Sequence, residues 1–264
     1  MAAISVWDLF HLHGQQMRKR LVVIILLSVF FSVNSFSQQS WGGGVDGESI
    51  HFGFKFQYVA SEYKILKTAG WKGPFIDPST NSPMINSQLK SLSSPISPGF
   101  ALGFVSDFRL GENSNIRFTP GLVFSDIIAS YEYDDPSFSV EKKVQSTFID
   151  LPLGFKLKSD RIKNFRAYII GGAKYSIDIV SKKKKDDVTL SPEAKYLKNV
   201  PNALWYEAGL GLDLYFEWFK LSPEIKFAQT AKSILKDNDR LENPYTAPID
   251  KLFLRNFQFS LYFE

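Results

Sequence analysis

The chain has 264 residues, of which 44% are hydrophobic and 22% charged, a balance that excludes disordered, collagen-like and low-complexity proteins. The 31 basic and 27 acidic side chains give a net charge of +4, too little for the dense basic surface of a nucleic-acid binder, so we expect no nucleic-acid partner. Cysteine is absent, which excludes disulfides, thiolate metal sites, cysteine nucleophiles and a lipoprotein anchor. Aromatic residues reach 15% and alternate with polar ones, which favours strands over helices.

The first segment has the features of a secretory signal peptide. Three basic residues stand directly before the apolar run Leu21–Phe31, and small residues precede the Ser37–Gln38 bond. The run is well short of the roughly 20 residues that a membrane-crossing helix needs, which disfavours the alternative of an uncleaved anchor. We predict a cleaved signal over residues 1–37, with Met17 as an alternative start, followed by a glycine-rich periplasmic lead-in over residues 38–49.

From residue 50 onward, polarity alternates with a period of two. In Ile50–Tyr58, aromatic and aliphatic residues alternate with His51, Gly53, Lys55 and Gln57. This alternation predicts a strand with one apolar and one polar face. The same pattern recurs in seven further segments, so we predict eight strands, the others being Phe100–Arg109, Ile116–Phe124, Phe148–Leu157, Phe165–Ile179, Leu204–Phe216, Phe219–Phe227 and Phe257–Phe263.

The connections between these strands alternate between long and short. The longer ones cover residues 60–97, 134–144, 181–202 and 230–251, and the shorter ones cover residues 111–115, 159–164 and 217–218. In an antiparallel sheet, the two kinds then lie at opposite ends. Transmembrane β-barrels have short periplasmic turns and longer extracellular loops. We therefore predict an all-β fold, an eight-stranded antiparallel transmembrane β-barrel over residues 50–264, located in the outer membrane.

A soluble eight-stranded barrel or sandwich is the alternative fold, with its apolar faces turned inward. Three features favour the membrane. The polar faces are rich in glycine, as a narrow barrel interior requires, and the apolar faces are continuous over whole strands. Aromatic residues also lie near predicted strand ends, where girdles meet lipid headgroups: Tyr58, Tyr131, Tyr175, Trp205, Tyr206 and Trp218.

In the membrane orientation, the polar faces place ionisable residues, among them Arg109, inside the barrel. Because an unpaired buried charge is costly, we predict a structural salt-bridge network there, and a catalytic or ion-conducting cluster is the alternative. An eight-stranded lumen is filled by side chains, so we expect no porin-sized pore. The residues assigned to this network are Arg117, Asp150, Lys156, Arg166, Lys174, Glu207, Asp213 and Glu224.

Catalytic residue types are scarce. After the predicted signal, the chain holds a single histidine, His51, whereas hydrolases of the serine type need a Ser-His-acid arrangement. Motifs for nucleotide binding, zinc proteolysis or serine hydrolysis do not occur in a supporting context. We expect His51 to fill a polar position, and we expect no enzymatic activity, cofactor, metal or small-molecule substrate.

Two loops carry candidate partner-docking residues. The loop over residues 60–97 is longer than a strand connection needs and holds Trp71, Phe75 and Ile76, apolar groups of the kind that interfaces bury. A loop that plugs the barrel mouth is the alternative. The second loop holds a basic run that is either solvated or in contact with outer-membrane lipid or a partner protein: Lys182, Lys183, Lys184 and Lys185.

Several segments resemble one bacterial family. Phe148–Lys158 resembles a strand that recurs in outer-membrane barrels of the Bacteroidetes, with the order aromatic, aliphatic, acidic, aliphatic, proline, aliphatic. Ala167–Tyr175 resembles the strand that follows it. With the glycine-rich Tyr206–Asp213, Ser222–Lys226 and the ending Phe257–Glu264, most of the mature chain resembles the PorT family. The resemblance implies an outer-membrane component of the type IX secretion system, which serves protein secretion and gliding motility, and it supplies no catalytic residues.

The expected function is therefore that of a non-enzymatic outer-membrane barrel that assists protein export by binding other secretion proteins. Two rival functions stay open. One is a general structural or adhesive barrel, and the other is a lipid-modifying barrel enzyme.

Overall fold

The computed structural model describes residues 44, 47–77, 81–85, 87–180, 197, 199–236 and 243–264. The predicted signal peptide and the basic run at residues 182–185 lie outside these residues. Within them, no helix is long and apolar enough to cross a membrane. The strands are β1 Ile50–Lys67, β2 Ile76–Asp77, β3 Ser82–Pro83, β4 Leu89–Ser93, β5 Ser97–Arg109, β6 Ser114–Phe118, β7 Gly121–Tyr133, β8 Val140–Lys158, β9 Phe165–Asp178, β10 Asn202–Tyr215, β11 Lys220–Thr230 and β12 Ile249–Phe263.

The main sheet closes into a ring. All of its pairings are antiparallel, and β1 pairs with β12 on one side and with β5 on the other. β4 and β5 together act as one ring strand, as do β6 and β7, so the ring has eight positions. This confirms the predicted eight-stranded antiparallel barrel. Closure gives every ring strand a neighbour on both sides, which lipid surroundings require because they offer no hydrogen bonds.

The two ends of the barrel differ, as the sequence predicted. The short-turn end holds the connections over residues 110–113, 159–164 and 216–219, together with the start of β1 and the end of β12. The long-loop end holds the other connections, including the small β2–β3 hairpin between β1 and β4 and a 3-10 turn at Pro136–Phe138.

Near the short-turn end, the barrel is apolar outside and polar inside. Phe52, Phe54 and Tyr58 project outward and are each more than half exposed, whereas Lys55 and Gln57 are buried in the lumen. The same outward exposure recurs on the other strands, at Phe104, Leu153, Ile169, Leu210, Ile225 and Phe257. A soluble barrel has the reverse orientation, so this belt of apolar side chains suits a lipid environment.

This orientation reverses part of the way along the barrel. Four buried serines, Ser61, Ser97, Ser125 and Ser146, mark the level, and we call them the serine row. Ser61 pairs with Ser97, Ser125 pairs with Ser146, and the Ser125 hydroxyl donates to Ser61 Oγ at 2.8 Å. Beyond the serine row the inward residues become apolar, among them Tyr63, Ile127, Tyr131, Leu252 and Leu254, and the outward residues become charged, among them Glu62, Lys64, Glu132, Lys143 and Arg255.

We call the strand ends and loops beyond the serine row the cap. In the cap, the barrel has the polarity of a soluble β-protein, with an apolar interior and a charged exterior. The ring therefore continues out of the membrane. Its interior changes from ionic to apolar around the serine row, where Val59, Ala101 and Val123 already form a small apolar cluster on the short-turn side.

The cap explains why the predicted loop over residues 60–97 is wrong in extent. β1 continues to Lys67, and β4 at Leu89–Ser93 pairs with β7, so both ends of that stretch are strand. The predicted loop over residues 134–144 likewise contains the start of β8. In these segments the apolar side chains point inward, so a search for strands with an apolar outer face does not detect them.

The predicted third strand is also corrected. Instead of running without interruption over Ile116–Phe124, it breaks at Thr119–Pro120 into β6 and β7. Proline has no N–H to donate to the ladder, and a break or bulge is where it is tolerated within a sheet. The backbone there still forms bonds, since the Phe104 N–H donates to the Pro120 carbonyl at 2.9 Å.

Two glycines are required by close approach of neighbouring strands. At Gly53 a Cβ atom would collide with the backbone oxygen of Phe263, where β1 meets the end of β12. At Gly172 it would collide with the backbone oxygen of Leu153, at the β8–β9 pairing. Only glycine fits such approaches, which accounts for part of the glycine on the inward faces.

Leu153→Arg tests the orientation of the belt. Leu153 is 54% exposed on the outer face of β8, so an arginine there would enter the lipid and should lower the free energy of unfolding by roughly 2–4 kcal/mol. Gln145→Arg is the control, because Gln145 lies on the outer face of the same strand but in the cap. It should change the free energy of unfolding by about 0.5 kcal/mol or less. Urea titrations in lipid vesicles measure both, and equal effects would contradict the position of the belt.

Candidate functional sites in the lumen and the cap

A network of ion pairs fills the lumen on the short-turn side of the serine row. At its centre is Arg117, which is 1% exposed. The Arg117 guanidinium lies 2.8 Å from Asp107 Oδ2, 2.9 Å from Glu264 Oε1 and 3.7 Å from Glu224 Oε2. These three acids come from β5, β11 and the residue after β12, so a single side chain links strands on different sides of the ring.

The network continues from Glu224 toward the serine row. Lys226 Nζ lies 3.1 Å from Glu224 Oε1 and 3.1 Å from Glu207 Oε1. The hydroxyls of Tyr168 and Tyr262 also donate to Glu224, at 3.0 and 2.7 Å. Positive and negative groups therefore alternate along a continuous column, which offsets the cost of burying them. We call this set the Arg117 column; its members are Arg117, Asp107, Glu264, Glu224, Lys226 and Glu207.

Two further ion pairs lie beside this column. Lys156 Nζ is 2.8 Å from both carboxylate oxygens of Asp213, which also accepts a hydrogen bond from Ser222 Oγ at 2.6 Å. Lys174 Nζ is 2.8 Å from Asp150 Oδ2. Both members of the Lys156–Asp213 pair have no exposed side-chain surface, so neither charge is solvated from outside.

The structure places all eight residues assigned to the interior network in buried positions. Seven of them take part in the ion pairs described above. The eighth, Arg166, differs in its contacts, because its guanidinium donates to the carbonyl of Ser159, to the carbonyl of Glu112 and to Asn113 Oδ1. Arg166 thereby ties two of the short turns together.

Arg109, which the polarity pattern placed in the lumen, is instead exposed. It is the last residue of β5 and lies at the barrel rim, where its Nε donates to the carbonyl of Gly111 at 3.3 Å. Alternation predicts the direction of a side chain but does not predict that the lumen has already ended at that level.

Four residues of these ion pairs were missing from the eight of the predicted network: Asp107, Lys226, Lys220 and Glu264. Lys220 forms an ion pair with Glu264, and Glu264 in turn contacts Arg117. The alternation in β11 and β12 already assigns both residues to the polar face, and this pattern is the signal that would have identified them.

His51 lies at the same end of the lumen, 5% exposed. Its Nε2 is 3.3 Å from Glu264 Oε2, 3.8 Å from Asp107 Oδ2 and 3.1 Å from Lys220 Nζ. The histidine and the two carboxylates are close enough to suggest a metal centre. However, Arg117 and Lys220 already contact these carboxylates, so the donor set is occupied by fixed cations and does not suit a metal ion.

An apolar cluster fills the lumen on the cap side of the serine row. Trp205, which is 2% exposed, packs there with residues of several ring strands. Tyr131 stacks edge-on against Tyr245 of the last loop and donates its hydroxyl to the Tyr245 carbonyl at 2.6 Å. Leu89 and Leu92 of β4 belong to the same cluster, so part of the first long connection closes the barrel mouth.

Two of the predicted girdle residues are therefore interior. Tyr131 and Trp205 are buried in the cluster because they lie beyond the level at which the polarity reverses. The other four, Tyr58, Tyr175, Tyr206 and Trp218, are exposed on the outer surface, with Trp218 at 86%.

The three docking residues predicted in the first loop line one pocket. Trp71, Phe75 and Ile76 surround a cavity of about 280 Å³ in the cap. The loop thus has two parts, since β4 fills the barrel mouth while the earlier segment leaves an apolar pocket open at the surface. The remaining lining residues are Thr68, Gly70, Gly73, Pro74, Ile85, Ser87, Leu89, Tyr133, Pro244, Ala247 and Pro248.

The pocket rim is charged. Lys67 Nζ lies 4.0 Å and Lys72 Nζ 5.4 Å from the centroid of the Trp71 ring, in cation–π contacts. Asp135 follows Tyr133 by two residues, and the backbone N–H and hydroxyl of Ser137 donate to its carboxylate. Two hydrogen bonds hold the pKa of Asp135 below its ordinary value, so this residue stays ionised. The bond from the Ser137 N–H has the larger effect and the bond from the Ser137 hydroxyl the smaller one.

The match to a protein-family model agrees with the fold. A model of the family described as "Outer membrane protein beta-barrel domain" matches residues 31–230. No curated protein sequence matches the chain. Among solved structures, the outer membrane protein OprG from Pseudomonas aeruginosa is similar at 10% identity, over 81% of this chain and 92% of that one, with a TM-score of 0.42. The outer membrane protein AlkL, solved in DMPC bilayers, is similar at 12% identity, over 88% and 93%, with a TM-score of 0.35.

A double-mutant cycle on Lys156 and Asp213 tests the lumen network. Lys156→Met or Asp213→Leu alone leaves a buried charge without its partner and should lower the free energy of unfolding by roughly 3–5 kcal/mol. The double variant should lower the free energy of unfolding by clearly less than the sum of the two single losses, because no unpaired charge remains. Unfolding in detergent micelles, followed by tryptophan fluorescence, gives all three values.

The matched control is the ion pair Lys143–Asp126 on the outer face of the cap, with an N–O distance of 2.7 Å and half-exposed side chains. Lys143→Met should cost less than about 1 kcal/mol, since solvent already screens that pair. Additive losses at Lys156 and Asp213 would show that the two residues do not stabilise one another.

Proposed function

Because the chain belongs to the outer membrane protein beta-barrel domain family, we propose that it is a non-enzymatic, closed barrel that docks other proteins at the outer membrane. The specific process we propose is protein export. The resemblance of Phe148–Lys158 and Ala167–Tyr175 to PorT-family strands supports an accessory role in the type IX secretion system, and through it in gliding motility.

The observation that carries the proposal is the contrast between the lumen and the cap. The lumen is occupied by the Arg117 column toward the short turns and by the Trp205 cluster toward the long loops, which leaves no wide path for a solute among the described residues. The cap, by contrast, exposes an open apolar pocket to the outside. A barrel with a filled interior and an open outer pocket is suited to binding at its surface.

The surroundings of His51 support the absence of catalysis. In the part of the chain that the structure describes, the charged groups in contact with its Nε2 are an ammonium and two carboxylates, from Lys220, Glu264 and Asp107. None of these three is the hydroxyl or thiol nucleophile that a barrel hydrolase needs. All three are instead held in ion pairs of the lumen network.

Replacing the exposed part of the first loop tests the docking role. The strands β1 and β4 are left intact if residues 69–87 alone are replaced, once by a short glycine–serine linker and once by a glycine–serine segment of the original length. Both variants should assemble as barrels that migrate faster on gels unheated than boiled. With both variants, secretion should be lost, and the partners that co-purify with the wild type should no longer co-purify.

The pair of variants separates loop length from loop chemistry. Normal secretion with both would assign docking to another loop, most directly to residues 181–202. Deletion of the whole gene distinguishes the rivals, because altered lipid A acylation indicates a lipid-modifying enzyme and a mild envelope defect with normal secretion indicates a structural or adhesive barrel.

His51→Ala tests the non-enzymatic assignment. We expect normal barrel assembly and an essentially unchanged level of secreted protein, since Arg117 and Lys220 still neutralise Asp107 and Glu264. Secretion assays and gel migration measure the two effects. Full loss of function in a correctly assembled His51→Ala barrel would point to chemistry at this residue.

A further inference from the structure

The pocket in the cap is held together by hydrogen bonds within the first loop and between that loop and its neighbours. The Thr68 N–H donates to the Pro248 carbonyl at 3.0 Å, and the Leu89 N–H donates to the Lys72 carbonyl at 3.4 Å. The Asp135 N–H donates to Ser87 Oγ at 3.0 Å. The first loop, the last loop and the end of β7 are therefore fixed relative to one another, so a ligand would meet a preformed site.

The size and lining of the pocket match a large apolar side chain. The cavity of about 280 Å³ is lined by aromatic and proline rings, including Trp71, Phe75, Tyr133 and Pro248. An apolar cavity of about 150 Å³ accommodates a benzene ring, so this one has room for any aromatic side chain. Ile76 remains 55% exposed at the pocket, which leaves apolar surface available for a partner.

The charge at the pocket rim determines which residues of the ligand can flank the bound side chain. Lys67 and Lys72 both contact the Trp71 ring, and in the part of the chain that the structure describes neither forms an ion pair. Two cations beside the Trp71 ring of the pocket favour an acidic group adjacent to the buried side chain of the ligand. Asp135 follows the pocket residue Tyr133 by two positions, and its backbone N–H donates to Ser87 Oγ of the pocket lining.

We propose that this pocket binds an aromatic side chain within an acidic segment of a polypeptide partner. The inference rests on the proposed docking function and names the chemistry of the docked partner. A polypeptide is favoured over a lipid chain because the pocket lies in the cap, where the outer face is charged and the apolar belt has ended. Buried aromatic anchors flanked by polar contacts are the usual arrangement at such interfaces.

Short synthetic peptides test the proposal on the purified full-length chain in detergent micelles. The probes are three fluorescein-labelled pentapeptides: Gly-Asp-Phe-Glu-Gly, the same peptide with alanine for phenylalanine, and Gly-Lys-Phe-Lys-Gly. Fluorescence anisotropy should show saturable binding of the first peptide. The other two should bind about tenfold more weakly or worse, because they lack the aromatic anchor or carry the wrong charge.

Variants locate the binding in the pocket. Ile76→Asp should weaken binding of the acidic peptide about tenfold or more. The double variant Lys67→Glu/Lys72→Glu should bind the lysine peptide more tightly than the acidic peptide. Lys143→Gln, an outward cation of the cap that does not line the pocket, is the control and should bind like the wild type. Gel migration of unheated samples shows that each variant has folded.

Three results would overturn the proposal. These are equal binding of all three peptides, no binding of the acidic peptide, and a lipid retained in native mass spectra of the wild type but lost in Ile76→Asp. If the peptide fails to bind while the variants of residues 69–87 still lose secretion, the pocket inference falls and the docking function stands. If the peptide binds and those variants secrete normally, docking for secretion belongs to another loop, and the pocket inference stands.

Discussion

The pairing of charges in a narrow lumen is the constraint on which the rest of the barrel depends. Lipid on the outside forces every ionisable residue of the membrane segment inward, and eight strands leave little space or water there. Arg117, Glu224 and Lys226 satisfy this constraint by each contacting charges from more than one strand. Because a one-residue slip would turn all inward residues of a strand outward, the same contacts fix the register of the sheet.

The serine row marks the level at which this constraint ends. Once the ring leaves the lipid, its outer face meets water, and the interior can be filled in the ordinary way by apolar side chains. Lys174 lies at the junction, since its ammonium pairs with Asp150 on one side and stacks 4.1 Å from the centroid of the Trp205 ring on the other. One continuous set of strands therefore serves as a membrane barrel and as the core of an external domain.

The sequence predicts the membrane part well and the cap poorly, for the same physical reason. A strand such as Ile50–Tyr58 shows both the period of two and the continuous apolar face. Its existence and orientation therefore follow from the order of residues in the sequence. Beyond Ser61 the period persists but its polarity reverses, and β1 continues unrecognised to Lys67. Individual lumen residues follow from alternation, whereas the partners of Arg117 depend on the register between distant strands, which one sequence does not contain.

The division between lumen and cap also bears on where function resides. Moving any member of the Arg117 column would leave buried charges unpaired at a cost of roughly 3–5 kcal/mol, so the membrane part is expected to be static. The described loops of the cap, in contrast, are joined to one another by hydrogen bonds such as those from the Thr68 N–H and hydroxyl to the Pro248 carbonyl, and they carry solvent-exposed apolar groups such as Ile76. Changes of sequence in these loops leave the lumen pairs untouched, so binding specificity can vary there without altering the barrel that holds it in the membrane.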